Sequence, residues 1–251
     1  MNLDLANKVI IVTGDSKGIG EGIVKVLATE NAIPVIVGRN ETDNLEMLAA
    51  IDNQGFQVVA ELTRPGECEN AIKKIAEKFR RIDGLVNNGY INDAVELENG
   101  NYEKFVASLH KNLVGYYLIT HHAVPYLKQS KGPIVNIGSK TVETVQGNTA
   151  AYVSANGGRN ALTREWAVEL LNYEIRVNEV VVTQSSSLSE TFKNRAQEVT
   201  SIAEKIPFQT KMTTPEEVGK MVAFLLSARS SHTTGQIIPI DGGYVDLDER
   251  F

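Results

Sequence analysis

Gly14, Gly18 and Gly20 lie between an apolar, β-branched run (Val9 to Val12) and a segment from Ile19 to Glu30 whose Ile23, Val24, Val26 and Leu27 share one side. A strand, a glycine turn and a helix together can hold a phosphate. Glycine lets the backbone approach an anion closely, and a helix N-terminus offers free N–H groups and the positive end of its dipole. The spacing G-x-x-x-G-x-G is not the G-x-G-x-x-G dinucleotide fingerprint, and the absence of a following Gly-Lys-Thr/Ser argues against a P-loop. Four further pieces carry polar chemistry. Asn87-Asn88-Gly89 ends a short apolar run, and Asn112 interrupts a helical pattern that asparagine disfavours. Ser139 closes Ile137-Gly138-Ser139, and Tyr152 follows thirteen residues later in Ala-Tyr-Val-Ser-Ala-Asn-Gly-Gly. His110, His121, His122 and His232 are too scattered for a metal site, so none is expected. Cys68 is the one cysteine and has no internal disulfide partner; its glutamate neighbours raise a thiol pKa.

The elements that position these residues alternate. Strands are expected at Val9–Val12, Ile33–Gly38, Phe56–Leu62, Asp83–Asn88, Pro133–Gly138, Arg176–Val182 and Gln236–Ile240. Helical patterns run over Ile19–Glu30, Thr42–Asn53, Pro65–Arg81, Asn99–Leu127, Ala150–Tyr173, Leu188–Ile206 and Pro215–Ser227. Strands separated by helices imply a parallel sheet with right-handed crossovers and helices on both faces. The fold class expected is therefore α/β, a doubly wound, Rossmann-like sheet of seven strands in a single domain spanning residues 1–251. Ligands of such sheets sit at the carboxyl ends of the strands. Gly14–Gly20, Arg39, Glu61, Asn88, Ser139 and Gln184 all fall at such ends. The irregular stretch Thr183–Glu190 is a candidate loop over the site.

With 251 residues, 42% hydrophobic and 22% charged, the chain has the composition of a globular domain with an ample core. Its net charge of −6 disfavours nucleic acid and anionic membrane as partners. No long apolar run or basic leader occurs, so a cytoplasmic protein is expected.

Taken in order, Thr13-Gly-x-x-x-Gly-x-Gly, Asn87-Asn88-Gly89, Asn112, Ser139 and Tyr152 resemble the motifs of the short-chain dehydrogenase/reductase family, from Leu5 to about Leu247. Within it the resemblance is to L-fucose dehydrogenase-like members. It is carried by Ala-Ile-Pro-Val after Asn31, Gln146-Gly-Asn-Thr149, Leu162-Thr-Arg-Glu-Trp-Ala-Val-Glu169, Ser231-His-Thr-Thr-Gly235 and Asp241-Gly-Gly-Tyr244. The resemblance implies strand order 3-2-1-4-5-6-7 and hydride transfer between a nicotinamide and a carbinol or carbonyl carbon. Tyr152 would then be the proton acceptor or donor, Ser139 would hydrogen-bond the reacting oxygen, and Asn112 would order a water in the proton relay.

At the family's lysine, one turn after the tyrosine, this chain has Asn156. An unassisted tyrosine, with a pKa of about 10, is ionised in roughly one molecule in 10³ at pH 7. The Asn156 amide could still reach the nicotinamide ribose. Tyr90 and Val182-Thr183 also depart from the family pattern. Two readings follow: a dehydrogenase acting on an easily oxidised substrate, or a relative that binds cofactor or a partner without turnover.

The resemblance places cofactor contacts at Gly14, Ser16, Lys17, Gly18, Ile19, Gly20, Arg39, Asn40, Glu61, Leu62, Asn88, Tyr152, Asn156, Val182, Gln184 and Ser185. Gly38 stands where NAD-specific members carry an acidic residue, and Arg39 with Lys17 could bind a 2′-phosphate, so NADP is expected over NAD. Ser139, Gln146, Asn148, Tyr152 and Gln184, with Tyr90, would line a polar pocket suited to a small polyhydroxylated substrate such as an aldose. The long helices Asn99–Leu127 and Ala150–Tyr173 resemble those that pair in a homotetramer.

Overall fold

The computed structural model describes residues 2–14, 17–89, 91–144, 147–183 and 203–245. Its strands are β1 (Val9–Thr13), β2 (Ile33–Gly38), β3 (Phe56–Val59), β4 (Gly84–Asn87), β5 (Ile134–Ser139), β6 (Val177–Val182) and β7 (Ile237–Ile240). They form one sheet in the order β3-β2-β1-β4-β5-β6-β7, and every neighbouring pair is parallel. Register follows directly: Ile10 lies beside Gly84, Leu85 beside Ile134, and Ser139 beside Val182. The expected fold class and strand order both hold.

The apolar runs are continuous because both faces are covered. Ile10 and Val12 point to a core closed by α1 (Ile19–Thr29) and a later helix at Pro215–Leu226, while Val9 and Ile11 point to a second core. That second core is built with α3 (Pro65–Phe79), α5 (Gly115–Ser130) and α7 (Ala150–Glu169). Each buried Val, Leu or Ile contributes roughly 1.5–3 kcal/mol. The Pro215–Leu226 helix, α8, begins with a full capping box between Thr214 and Glu217.

The remaining helices are α2 (Glu41–Ala49), α4 (Tyr102–Leu109) and α6 (Thr141–Thr144). Several boundaries differ from the periodicity. The single helix expected over Asn99–Leu127 is α4, a π-helical turn (His110–Val114) and α5, extending to Ser130. Strand β3 stops at Val59 because Glu61 N turns to the Glu67 carboxylate (2.7 Å) instead of a strand partner. Helix α3 ends at Phe79, where Arg80 takes a left-handed φ of 60°. Helix α7 ends at Glu169 and is followed by a 3-10 turn (Leu171–Tyr173). The short α6 had no periodic signal. The helix expected over Leu188–Ile206 lies outside the described residues up to position 202, as does the loop Thr183–Glu190 beyond Thr183.

Candidate active site

The carboxyl ends of β1, β2 and β4 meet in a floor of three glycines. Gly14 has φ +97°, and a Cβ there would lie 2.6 Å from Gly89 Cα and 2.7 Å from Gly89 N. A Cβ at Gly38 would lie 2.6 Å from Asn44 Oδ1 and 2.8 Å from the Gly14 carbonyl. At Gly14 and Gly38 a side chain would collide with its neighbours in this approach of the strand ends. Gly18 (φ 58°) opens α1 with no side-chain cap among the described residues, the kind of helix start that can hold an anion. The floor is pinned by Thr13, whose Oγ1 accepts from Asn88 N (3.1 Å) and whose carbonyl accepts from Asn88 Nδ2 (3.1 Å). Asn88 Oδ1 is buried and has no hydrogen-bond partner among the described residues. A dinucleotide fits this cradle: the bare backbone and the helix start suit its phosphates, and Asn88 Oδ1, a buried acceptor with no partner among the described residues, suits a hydroxyl donor such as a ribose would bring.

The residues expected on the adenosine side divide. Asn40 serves as the N-cap of α2, accepting from Thr42 N (3.0 Å) and Asp43 N (3.4 Å). Lys17 pairs with Asp43 at 2.9 Å, and Arg39 is exposed. Glu61 Oε1 accepts from Thr63 N (3.2 Å). Leu62 packs against Gly115 and Gly89. Ser16, Tyr90, Gln146, Gln184 and Ser185 lie outside the described residues.

At the ends of β5 and β6 stand Ser139 and Val182. Ser139 Oγ is half-buried and accepts from Thr141 N (3.4 Å) and Thr141 Oγ1 (3.2 Å), so α6 orients it. Val182 is buried, and its carbonyl accepts from Lys140 N (3.2 Å). Lys140 Nζ lies 3.6 Å from the centroid of the Tyr244 ring. Tyr152, on the first turn of α7, is 3% exposed. Asn148 is exposed, with a left-handed φ of 54°. Asn112 is fully buried in the π turn. Its Oδ1 accepts from Ile91 N (2.7 Å), and its Nδ2 donates to Ile91 O (2.9 Å) and Ser108 Oγ (3.2 Å). It thus clamps the segment that follows Gly89. The inserted turn marks this site as π turns often do.

Asn156 is fully buried and turned into the protein. Its Nδ2 donates to the Tyr152 carbonyl (2.8 Å), and its Oδ1 accepts from Arg159 Nη2. Arg159 is itself 1% exposed, its guanidinium 4.9 Å from the Tyr116 ring centroid. Facing it from β6 is Glu179, 0% exposed, which accepts from Thr163 Oγ1 (2.9 Å). Asn160, its amide turned to donate, reaches both Glu179 oxygens (2.7 and 3.2 Å). Asn87, Asn136 and Thr163 form a buried hydrogen-bond chain that ends on this carboxyl, each step 2.9 Å. Burial pushes the Glu179 carboxyl up to about 7, against the opposing pull of Arg159 and the Thr163 hydroxyl. Burial also pushes the Tyr116 phenol up to about 12, although Arg159 opposes it. Sequence reasoning missed Arg159 and Glu179. The signal was present: a glutamate inside Val-Asn-Glu-Val-Val-Val, and an arginine at a core-facing helix position.

Residues 14–245 match the family model described as enoyl-(acyl carrier protein) reductase. The chain is 34% identical over 249 residues to 3-oxoacyl-[acyl-carrier-protein] reductase FabG of Thermotoga maritima, covering 96% of this chain and 99% of the relative. It is 31% identical over 179 residues to L-fucose dehydrogenase of Bos taurus, covering 71% of this chain and 66% of the relative. The crystal structure of Cj0485 dehydrogenase superposes with a TM-score of 0.92 at 38% identity, covering 99% and 98% of the two chains. With the parallel sheet, the glycine floor and the Ser139 and Tyr152 positions, these likenesses mean that the chain belongs to the short-chain dehydrogenase/reductase family of nicotinamide-dependent oxidoreductases.

Proposed function

We propose that this oxidoreductase uses NADP and oxidises an aldose at its anomeric carbon to the lactone. When bound, the nicotinamide supplies the hydride acceptor. Ser139 Oγ, oriented by Thr141, hydrogen-bonds the substrate oxygen and holds charge that develops there. Tyr152 takes the proton from that oxygen. Asn112 fixes the Ile91 segment beside the nicotinamide side of the floor, and Leu62 flanks the adenine side.

The observation that supports the reading is the Gly14–Gly38–Gly89 floor at the carboxyl ends of β1, β2 and β4, with Ser139 at the carboxyl end of β5 and Tyr152 on the first turn of the following α7. NADP is favoured because Asn44 and the Gly14 carbonyl leave no room for an acidic side chain at 38, while exposed Arg39 and Lys17 stand nearby. The aldose is favoured by the polar residues Ser139 and Asn148 and by the likeness to L-fucose dehydrogenase. The chain assembles as a homotetramer through the outer faces of α5 and α7, where Tyr117 (49%) and Val168 (65%) are exposed.

A second reading is supported by the 34% identity to FabG: reduction of a 3-oxoacyl thioester. The test is a panel of aldoses with NADP and NAD and of 3-oxoacyl thioesters with the reduced cofactors, followed by nicotinamide absorbance. Aldose oxidation with NADP preferred supports the proposal. Thioester reduction without aldose turnover replaces it with the second reading. Cofactor binding with no turnover at any pH favours a non-catalytic relative. Tighter NAD than NADP binding, read by fluorescence titration, overturns the cofactor assignment.

A further inference from the structure

The segment 91–95, just beyond the Gly89 floor, runs between the π turn and the start of α7. Within it Asp93 Oδ1 accepts from Ser108 Oγ (2.7 Å), and Lys111 Nζ lies 4.0 Å from its Oδ2. Ser108 is fully buried on α4, one turn before Asn112, whose Nδ2 donates to Ser108 Oγ (3.2 Å). A hydroxyl has one hydrogen and a carboxylate only accepts. The direction of this run is therefore fixed: Asn112 donates to Ser108, and Ser108 donates to Asp93. Asn112 closes the circuit on Ile91, donating to its carbonyl (2.9 Å) and accepting from its N–H (2.7 Å). Both amide hydrogens of Asn112 are thereby engaged. Two points of the segment, Ile91 and Asp93, are tied to two residues one helical turn apart, so its angle is held as well as its position.

The other end of the segment meets the helix that carries Tyr152. Val95 is buried, and its carbonyl accepts from Ala151 N (3.3 Å). That N–H is one of the first-turn donors that a helix cannot satisfy internally. Thr149, the N-cap of α7, makes no side-chain capping bond, and the Val95 carbonyl serves in its place. Between the two anchored ends Ala94 takes φ 51°, a left-handed backbone disfavoured for a residue with a Cβ. Such a conformation persists where its surroundings hold it.

We propose that Asp93 is a positioning residue: through Ser108 it holds the 91–95 segment as a strap between the π turn of Asn112 and the first turn of α7, and so sets where Tyr152 stands, a proposal that rests on reading Asn112 and Tyr152 as members of the active site. Asp93 touches neither substrate nor cofactor in this role. Its carboxylate receives the one hydroxyl hydrogen of Ser108, which leaves the Ser108 oxygen free to accept from Asn112. Without that acceptor the strap is held at Ile91 alone on this side, and the Val95 carbonyl loses its fixed approach to Ala151 N.

The test is hydrogen exchange at single-amide resolution on the intact protein, which needs no turnover. Asp93→Ala should speed exchange at the Ile91 and Ala151 amides at least about tenfold, as loss of a hydrogen bond to a charged group implies, while the amides of the central strand β1 keep their protection. Asp93→Asn, whose side-chain oxygen still accepts from Ser108, should lie close to wild type. Ser108→Ala breaks the same link from the helix side and should reproduce Asp93→Ala; it decides the matter if Asp93→Ala fails to fold. In turnover, kcat should fall at least about tenfold in Asp93→Ala, because small displacements of reacting groups are costly, with KM changed less, and Asp93→Asn should restore it. A merely structural aspartate would raise exchange in β1 as much as at Ala151, or would leave kcat unchanged, and either result overturns the proposal. So does an Asp93→Asn protein as impaired as Asp93→Ala. Faster exchange at Ala151 in a protein that turns over no substrate would leave the strap standing and remove the dehydrogenase reading; wild-type turnover with an unchanged kcat in Asp93→Ala would do the reverse.

Discussion

Gly14 and Gly89 touch across the ends of β1 and β4, yet alanine at the two positions should behave differently. At Gly14 the backbone has φ +97°, and the added Cβ would meet Gly89 Cα at 2.6 Å and Gly89 N at 2.7 Å. Both are backbone atoms, and the segment is held on one side by Thr13 through Asn88 and on the other by Asn112 through Ile91. Neither can turn aside as the tip of a side chain would. The left-handed backbone costs about 1–2 kcal/mol for a residue with a Cβ, and overpacking adds about 1–3 kcal/mol. At roughly 2–4 °C per kcal/mol for a chain of this size, Gly14→Ala should lower Tm by at least about 5 °C. At Gly89 no left-handed φ is required, and a Cβ would meet Gly14 Cα at 3.1 Å, a contact relieved by a few tenths of an ångström. Gly89→Ala should cost less than about 1 kcal/mol. Thermal melts measure the stability, and fluorescence titration with NADPH measures the cradle itself. Gly14→Ala should weaken binding at least about tenfold, the equivalent of about 1.4 kcal/mol, while Gly89→Ala should change it little. Equal effects of the two substitutions, or a Gly14→Ala protein that melts and binds like wild type, would refute the glycine-floor argument.

Asn156→Lys would bring a buried ammonium against Arg159, so its Tm should fall, and adding Arg159→Val should recover about 2–4 kcal/mol of that loss; strictly additive melting temperatures would contradict the contact. The Glu179 carboxyl rises from 4.5 unfolded to about 7 folded. The folded state therefore binds this proton more tightly, so its contribution is fully present below about pH 4.5 and is lost as pH rises to about 7. Urea unfolding should find that the wild type minus Glu179→Gln stability difference falls across that window, by at most about 3 kcal/mol; a flat difference would refute it. Asn112→Ala leaves the Ile91 N–H and carbonyl without their side-chain partner and should cost about 2–4 kcal/mol. Hydrogen exchange at the Ile91 amide should accelerate in the same variant, and unchanged protection would show that the clamp is not needed.

The order of elements, the parallel sheet and the glycine turn were legible because each depends on local pattern. A β-branched apolar run such as Ile33–Gly38 reads as a strand buried on both faces, and it spans the strand found there. The glycine turn was legible because positive φ at Gly14 and Gly18 is a property of the residue type. The departures had tertiary causes. The π turn interrupts a helix whose periodicity looks continuous because Asn112 bonds a distant backbone segment at Ile91. Asn40 reads as the residue after a strand, and its capping of α2 appears only once the chain turns there. Asn156 looks like a neutral residue facing the site, and only packing showed its amide turned inward onto Arg159. The types of Arg159 and Glu179 were in the sequence, twenty residues apart on a helix and a strand. That they lie opposite each other follows from the packing of α7 over β5 and β6, because long-range pairing is set by which faces the sheet and helices must bury together.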